Sequence, residues 1–188
     1  MTLNRTGESS VAKPEYASPQ PSNLNKESVY RLAESIAAQL EYEPRGDLHM
    51  IVDKLGGKIS YRDFWSDNDS GSLIVESPND FVIFVAKNTT YERDKFTIAH
   101  ELGHYVLHYL WPARNSDSVP GKMKANRYGS DRAEWEANWF AAAFLMPAEP
   151  FRIAYNDARG DFVSLAEEFG VSVLAAKTRA KALGLSTD

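Results

Sequence analysis

The chain has 188 residues, a net charge of −5, a pI near 5.4 and no cysteine. With 43% hydrophobic and 25% charged residues it has ordinary globular composition and enough length for one domain with a real core. The missing cysteine excludes disulfides and thiolate metal sites, and the acidic balance argues against a broad nucleic-acid-binding surface.

Residues 1–25 hold Pro14, Pro19 and Pro21 among Ser, Asn and Gln, with few large apolar groups. Such a segment buries too little to offset ordering entropy, so a disordered tail is expected, followed by a single domain over 26–188. Val29, Leu32, Ile36 and Leu40 recur at helical spacing and predict a helix from Ser28 to Leu40. A second, Asp47 to Leu55, stops at Gly56-Gly57. Three strands follow at Lys58–Arg62, Ser72–Glu76 and Phe81–Ala86, separated by turn-forming clusters. The third is apolar throughout, as a strand covered on both faces would be. A helix is predicted from Glu92 to Tyr109, ending at Pro112, and residues 112–130 read as a long loop. Asp131 can cap a helix that carries Glu134 to Leu145 and stops before Pro147. Short helices near 148–157, 161–169 and 172–183 complete the chain. No run of about 20 apolar residues spans a membrane. No apolar segment follows the first charges as a secretory signal would, so a cytoplasmic setting is expected.

His100-Glu101-Leu102-Gly103-His104 matches H-E-x-x-H. Residues four apart share a helix face, so both imidazoles can reach one ion. Glu101 lies about 100° further round the helix, beside that ion, where a carboxylate can take a proton from water. Gly103 permits close approach of another segment. Alternatively, the five residues are two ordinary histidines flanking a surface glutamate. The next long helix brings Glu134-Trp135-Glu136-Ala137-Asn138. A catalytic zinc takes three protein ligands and keeps one open position. If Glu134 is the third, Asn138, four residues on, falls where it can hydrogen-bond a ligating histidine. Glu136 then faces elsewhere, as a solvated or salt-bridged carboxylate.

The run Arg93 to His108, centred on His100-Glu101-Leu102-Gly103-His104, resembles the active-site helix of the ImmA/IrrE-type metallopeptidases. Glu134-x-Glu136-Ala137-Asn138-x-Phe140-Ala141-Ala142-Ala143-Phe144-Leu145-Met146-Pro147 resembles that family's second signature, and Asn88 fits its strand-end asparagine. The resemblance spans about residues 28–185; Phe144 stands where leucine is common. It implies an α+β, gluzincin-like zincin fold: a small twisted sheet on metal-bearing helices, with a helical C-terminus. It also implies Zn2+ held by His100, His104 and Glu134, with Glu101 as general base. The implied substrate is a protein regulator such as a helix-turn-helix repressor or an antitoxin, in phage, mobile-element, toxin–antitoxin or stress-response settings.

Other residues invite functional readings. His108, about 12 Å of helix rise beyond His100, is too far to share one zinc and is expected to be stabilised by terminal carbonyls. His49 reads as a surface histidine, Trp135 and Trp139 as core, and Arg93 as a pin for the helix start. Lys122, Lys124 and Arg127 form a basic cluster in the long loop. The segment Ser164–Ser172 followed by Val173–Leu183 reads like a helix-turn-helix, with Lys177, Arg179 and Lys181 on its second helix. The leading expectation is a zinc endopeptidase that does not bind DNA. The competing one is a DNA- or partner-binding regulator, or a toxin component, with a structural or dormant metal site.

Overall fold

The computed structural model describes residues 16–63, 71–114, 121–126 and 131–187. Helices α1 (Lys26–Gln39) and α2 (Leu48–Lys54) precede strands β1 (Gly57–Arg62), β2 (Gly71–Ser77) and β3 (Asp80–Ala86). Helix α3 (Tyr91–His104) continues as a π-helical turn over Tyr105–Leu110 and a short α4 (Trp111–Arg114). Strand β4 (Met123–Asn126), α5 (Arg132–Leu145), α6 (Ala148–Asp157), α7 (Phe162–Phe169) and α8 (Val173–Ala182) follow.

The fold is α+β, with a four-stranded mixed sheet in the order β1-β3-β2-β4 and a helical C-terminus. β3 pairs in parallel with β1 and antiparallel with β2, and β2 pairs antiparallel with β4. Lying inside the sheet, β3 buries Phe81, Ile83, Phe84 and Val85, which is why its sequence shows no polar face. Helix α5 is the central post, packed between α1 and α3. Gly103 makes the second contact possible. A Cβ there would stand 3.1 Å from both Cα and O of Ala137 and 3.2 Å from Cβ of Phe140, so α3 reaches α5 at backbone distance. Phe140, Phe144, Phe151 and Phe169 are fully buried. Each contributes about 1.5–3 kcal/mol through burial, more than a typical surface ion pair.

Most helix starts carry a side-chain cap. Asn25, Asp47, Thr90, Asp131, Asp161 and Ser172 each accept a hydrogen bond from a backbone N–H of the first turn. Asp131 fills the role expected of it, accepting from Glu134 N at 3.2 Å.

Four expectations need correction. First, residues 112–130 are not all loop: Met123–Asn126 form the edge strand β4, whose four residues are too few to show an alternating pattern. Second, Pro112 does not end the helix. The wider π turn before it changes the backbone pairing, and Pro112 lies near the start of α4, where a missing N–H is tolerated. Third, Trp135 is 55% exposed, while Trp139 is half-buried under the Arg132 guanidinium. Fourth, the expected disordered tail is too long. Residues 1–15, like Arg127, lie outside the described residues, but 16–25 pack on the domain. Tyr16 donates to Glu76, and Ala17 bridges the outer edge of β4 through Ala17 N to Lys122 O (2.9 Å) and Lys124 N to Ala17 O (3.0 Å). Arg132 Nη2 donates to Leu24 O at 2.6 Å.

Candidate metal centre

His104 lies on the last turn of α3 and His100 one turn before it, with Glu134 on the first turn of α5 facing them. His100 Nε2 is 3.2 Å from Glu134 Oε2, His104 Nε2 is 3.2 Å from Glu134 Oε1, and the two Nε2 atoms are 3.1 Å apart. Two imidazole nitrogens and the two oxygens of one carboxylate thus face one another, and one ligand atom from each residue lies within 4.8 Å of the others, close enough to hold a metal ion. A tetrahedral zinc with ligands at ~2.0–2.2 Å would separate neighbouring ligand atoms by roughly 3.3–3.6 Å, so the donor set and its spacing fit that ion. The other ring nitrogens are engaged: His100 Nδ1 lies 3.1 Å from Asn138 Oδ1, and His104 Nδ1 lies 2.9 Å from His108 Nδ1. Each histidine therefore has a partner behind it and leaves Nε2 for the shared point.

The electrostatics follow from this crowding. Burial alone would raise the Glu134 carboxyl, but hydrogen bonds from His100 and His104 outweigh it and bring the group down to about 2. The same exchange works on His100: burial opposes its charged form, yet Glu134, Glu101 and Asn138 together raise it. Glu101 is different. It is buried beside the cluster, and desolvation holds its carboxyl above the usual range against the pull of His100 and His104. The Ser72 hydroxyl nearby also works against that rise, while Oε2 is buried without a hydrogen-bond partner among the described residues. A buried acceptor left open beside two imidazoles is the kind of exception that marks a site built for something else to occupy.

A cleft of about 860 Å³ opens from this cluster. His100, Glu101, Glu134 and Asn138 line its inner end, Arg93, Phe96 and Thr97 continue along α3, and Val163, Val173 and Ala175 supply the facing wall from α7 and α8. Val163 and Val173 are exposed there.

The sequence placed Glu136 away from the histidine pair as a solvated or salt-bridged carboxylate. It does point away from His100, but it is completely buried rather than solvated. It accepts from Arg132 Nε (2.9 Å), Ser22 N (2.8 Å) and Ser22 Oγ (2.7 Å), and lies 3.2 Å from His108 Nε2. His108 is likewise not a helix-end histidine held by terminal carbonyls. The π turn carries it inward, behind His104, where burial and the neighbouring His104 bring its ring down to about 4. The available signals were the third histidine at the same four-residue interval and Arg132 four residues before Glu136. His49 lies at the surface, with Nδ1 3.1 Å from Asp47 Oδ1.

The C-terminal basic row also changes meaning. Arg179 is 1% exposed; its Nη2 donates to Glu34 Oε1 at 2.6 Å and its Nε to Met146 O at 2.8 Å. A side chain locked to α1 and to the end of α5 cannot contact phosphate, so Lys177, Arg179 and Lys181 do not form one reading surface.

A family model described as the IrrE N-terminal-like domain, Peptidase_M78, matches residues 52–181, more than half of the chain. A comparison with curated proteins finds no match. Among solved structures, a Mycobacterium tuberculosis transcriptional regulator is similar at 21% sequence identity and a TM-score of 0.60, over 85% of this chain and 48% of that one. At that identity the likeness concerns the fold, and this chain spans about half the length of that structure.

Proposed function

The chain belongs to the Peptidase_M78 (IrrE N-terminal-like) family, and on that premise we propose that it is a zinc-dependent endopeptidase acting on a protein substrate. The carrying observation is the convergence of His100 Nε2, His104 Nε2 and the Glu134 carboxylate on one point, with Glu101 Oε2 open beside it. In this reading His100, His104 and Glu134 hold the ion, Asn138 steadies His100 and Glu101 is the general base. Zinc bound there would supply Lewis acidity, polarising the scissile carbonyl and acidifying water. Glu101 takes the proton of the attacking water and returns it to the leaving amine. Phe96, Val163 and Val173 favour an apolar side chain next to the scissile bond.

The substrate class is a protein regulator, such as a helix-turn-helix repressor or an antitoxin, a choice that rests on the family resemblance. The burial of Arg179 argues for this reading over a DNA-binding one, because α8 is committed to packing. No described helix is long and apolar enough to cross a membrane, and the lack of cysteine suits a cytoplasmic setting. We assign residues from about 16 onward to a single metallopeptidase domain.

The test uses the full chain, metal analysis and a proteome-derived peptide library read by mass spectrometry. Wild type should carry about one zinc and cleave. Glu101→Gln should keep the zinc and lose about 10²–10⁴-fold in cleavage rate, the usual contribution of a positioned general base. Undiminished cleavage by Glu101→Gln would remove it from that role, and a wild-type chain that takes up no zinc would remove the metal reading.

A further inference from the structure

We propose that His108 and Glu136, tied down by Ser22, are positioning residues that set the tautomer and orientation of His104 at the metal centre, an inference that rests on the metal reading above. The argument is a proton count along one chain of contacts. His104 Nδ1 and His108 Nδ1 face each other at 2.9 Å, so one must donate and the other accept. To offer Nε2 to a metal, a neutral His104 must carry its proton on Nδ1. His104 is therefore the donor and His108 the acceptor. A neutral His108 then has its proton on Nε2, 3.2 Å from Glu136 Oε2, and donates it there. The chain ends on a carboxylate that also accepts from Arg132 Nε, Ser22 N and Ser22 Oγ. Every donor meets an acceptor in this direction. In the opposite direction His104 would present Nε2–H to the shared point and could not ligate.

Burial makes the arrangement consequential. The side chains of His108 and Glu136 are sealed from solvent, so water cannot replace a lost partner cheaply. His108 lies outside the triad that could hold the ion, so its contribution comes through His104. Ser22 lies 114 residues before Glu136, and Arg132, which grips the other carboxylate oxygen, also holds Leu24 O. The docked segment 16–25 is thereby part of the metal centre's support, although no residue of it is among the triad.

A merely structural network would change stability and leave metal affinity alone, so zinc affinity is the deciding measurement. The zinc dissociation constant of the full chain is measured by competition with a chromogenic chelator for wild type, His108→Phe, His108→Gln and Ser22→Ala, alongside the melting temperature of each metal-free protein. His108→Phe should weaken zinc binding by about 10–100-fold, the usual cost of losing an outer-shell partner. His108→Gln should restore most of it, since its amide oxygen can accept from His104 and its NH2 can donate to Glu136. Ser22→Ala should weaken binding by severalfold. A folded His108→Phe with wild-type zinc affinity overturns the proposal, as does a His108→Gln no better than His108→Phe. Should His108→Phe not fold, Glu136→Gln takes its place, and unchanged affinity there is equally decisive against it. A wild-type chain that binds no zinc refutes the metal reading itself, a different outcome from a wild type that binds tightly and is indifferent to His108.

Discussion

The molecule buries ionisable groups in two regions. Around α3 and α5, His100, Glu101 and Glu134 line a cleft with His104 buried beside them; under the C-terminal helices, Arg179 and Lys95 face the core. Both regions are crowded and both contain charge, yet their polar atoms are used differently. Arg179 Nη2 and Nε are taken up by Glu34 and by Met146 O, although its Nη1 is buried without a hydrogen-bond partner among the described residues, and Lys95 Nζ donates to Phe169 O at 3.3 Å. These groups point at one another or at helix-end carbonyls, and what they do is hold α1, α5, α7 and α8 in place. In the cleft the Nε2 atoms of two histidines and both oxygens of Glu134 converge on one point, with Glu101 Oε2 open beside it. Burial and charge are common to the two regions, so they do not mark function. Convergence of donor atoms on a shared point does.

The largest effect expected from this contrast is on the structural side. Arg179→Ala leaves Glu34 without its guanidinium partner and opens a space beside Tyr30, whose ring lies 4.6 Å from the Arg179 carbon. Breaking a buried pair in this way costs about 3–5 kcal/mol. Glu34 keeps some access to water, which places the value at the lower end. Urea denaturation of the metal-free chain reads it directly; a change under 1 kcal/mol would show that the pair is incidental and would reopen α8 as a nucleic-acid surface. Next in size is Glu134→Ala. It should abolish tight zinc binding and forfeit the stabilisation the metal gives, about 2.7 kcal/mol at zinc one hundred times the dissociation constant. The contrast sharpens if Glu136→Ala, two residues away, instead keeps about one zinc per chain with weakened affinity. If Glu136→Ala loses the metal and Glu134→Ala keeps it, the two faces of α5 have been read in the wrong order.

Much of this was legible in the sequence, because it rests on local rules. The three long strands, the capped helices and the four-residue spacing of His100, His104, Glu134 and Asn138 all follow from periodicity and side-chain chemistry. What escaped has in each case a physical reason. Strand β4 is four residues long, and its pairing with β2 depends on contacts that no local pattern encodes. The four-residue interval put His108 next to His104, but the π turn that follows His104 and buries His108 leaves no local signature in the sequence. Ser22 meets Glu136 across 114 positions, a contact that composition hides because the segment looks too polar to dock. Arg179 carried a readable hint: it lies three residues after Ala176, which is fully buried on the same helix face, so phase outranked charge there.

The smallest effect concerns Lys95 and is a matter of pH. Its side chain is buried on α3 between the Tyr42 and Tyr91 rings, with Arg45 nearby. Desolvation, aided by Arg45, brings its ammonium down from 10.5 to about 8. Below pH 8 the lysine is protonated in both folded and unfolded chains, and the native state bears the full desolvation cost. Between about pH 8 and 10.5 the unfolded chain still holds the proton while the native chain has released it, so this group's contribution to stability rises with pH. Lys95→Met has no proton to release and should lack that rise. It should be more stable than wild type relative to its own alkaline value at pH 7, with the variant-minus-wild-type difference shrinking by on the order of 1 kcal/mol as pH approaches 10. Titration of other lysines and tyrosines is common to both chains and cancels in the difference. The Gly170 turn packs closely on the ammonium, since a Cβ there would stand 3.1 Å from Lys95 Nζ, and methionine has the flexibility to fill that space without moving it. Urea midpoints at pH 7, 8, 9 and 10 measure the trend. A flat difference would mean that Lys95 titrates at its ordinary value, and that water reaches the ammonium more freely than its burial suggests.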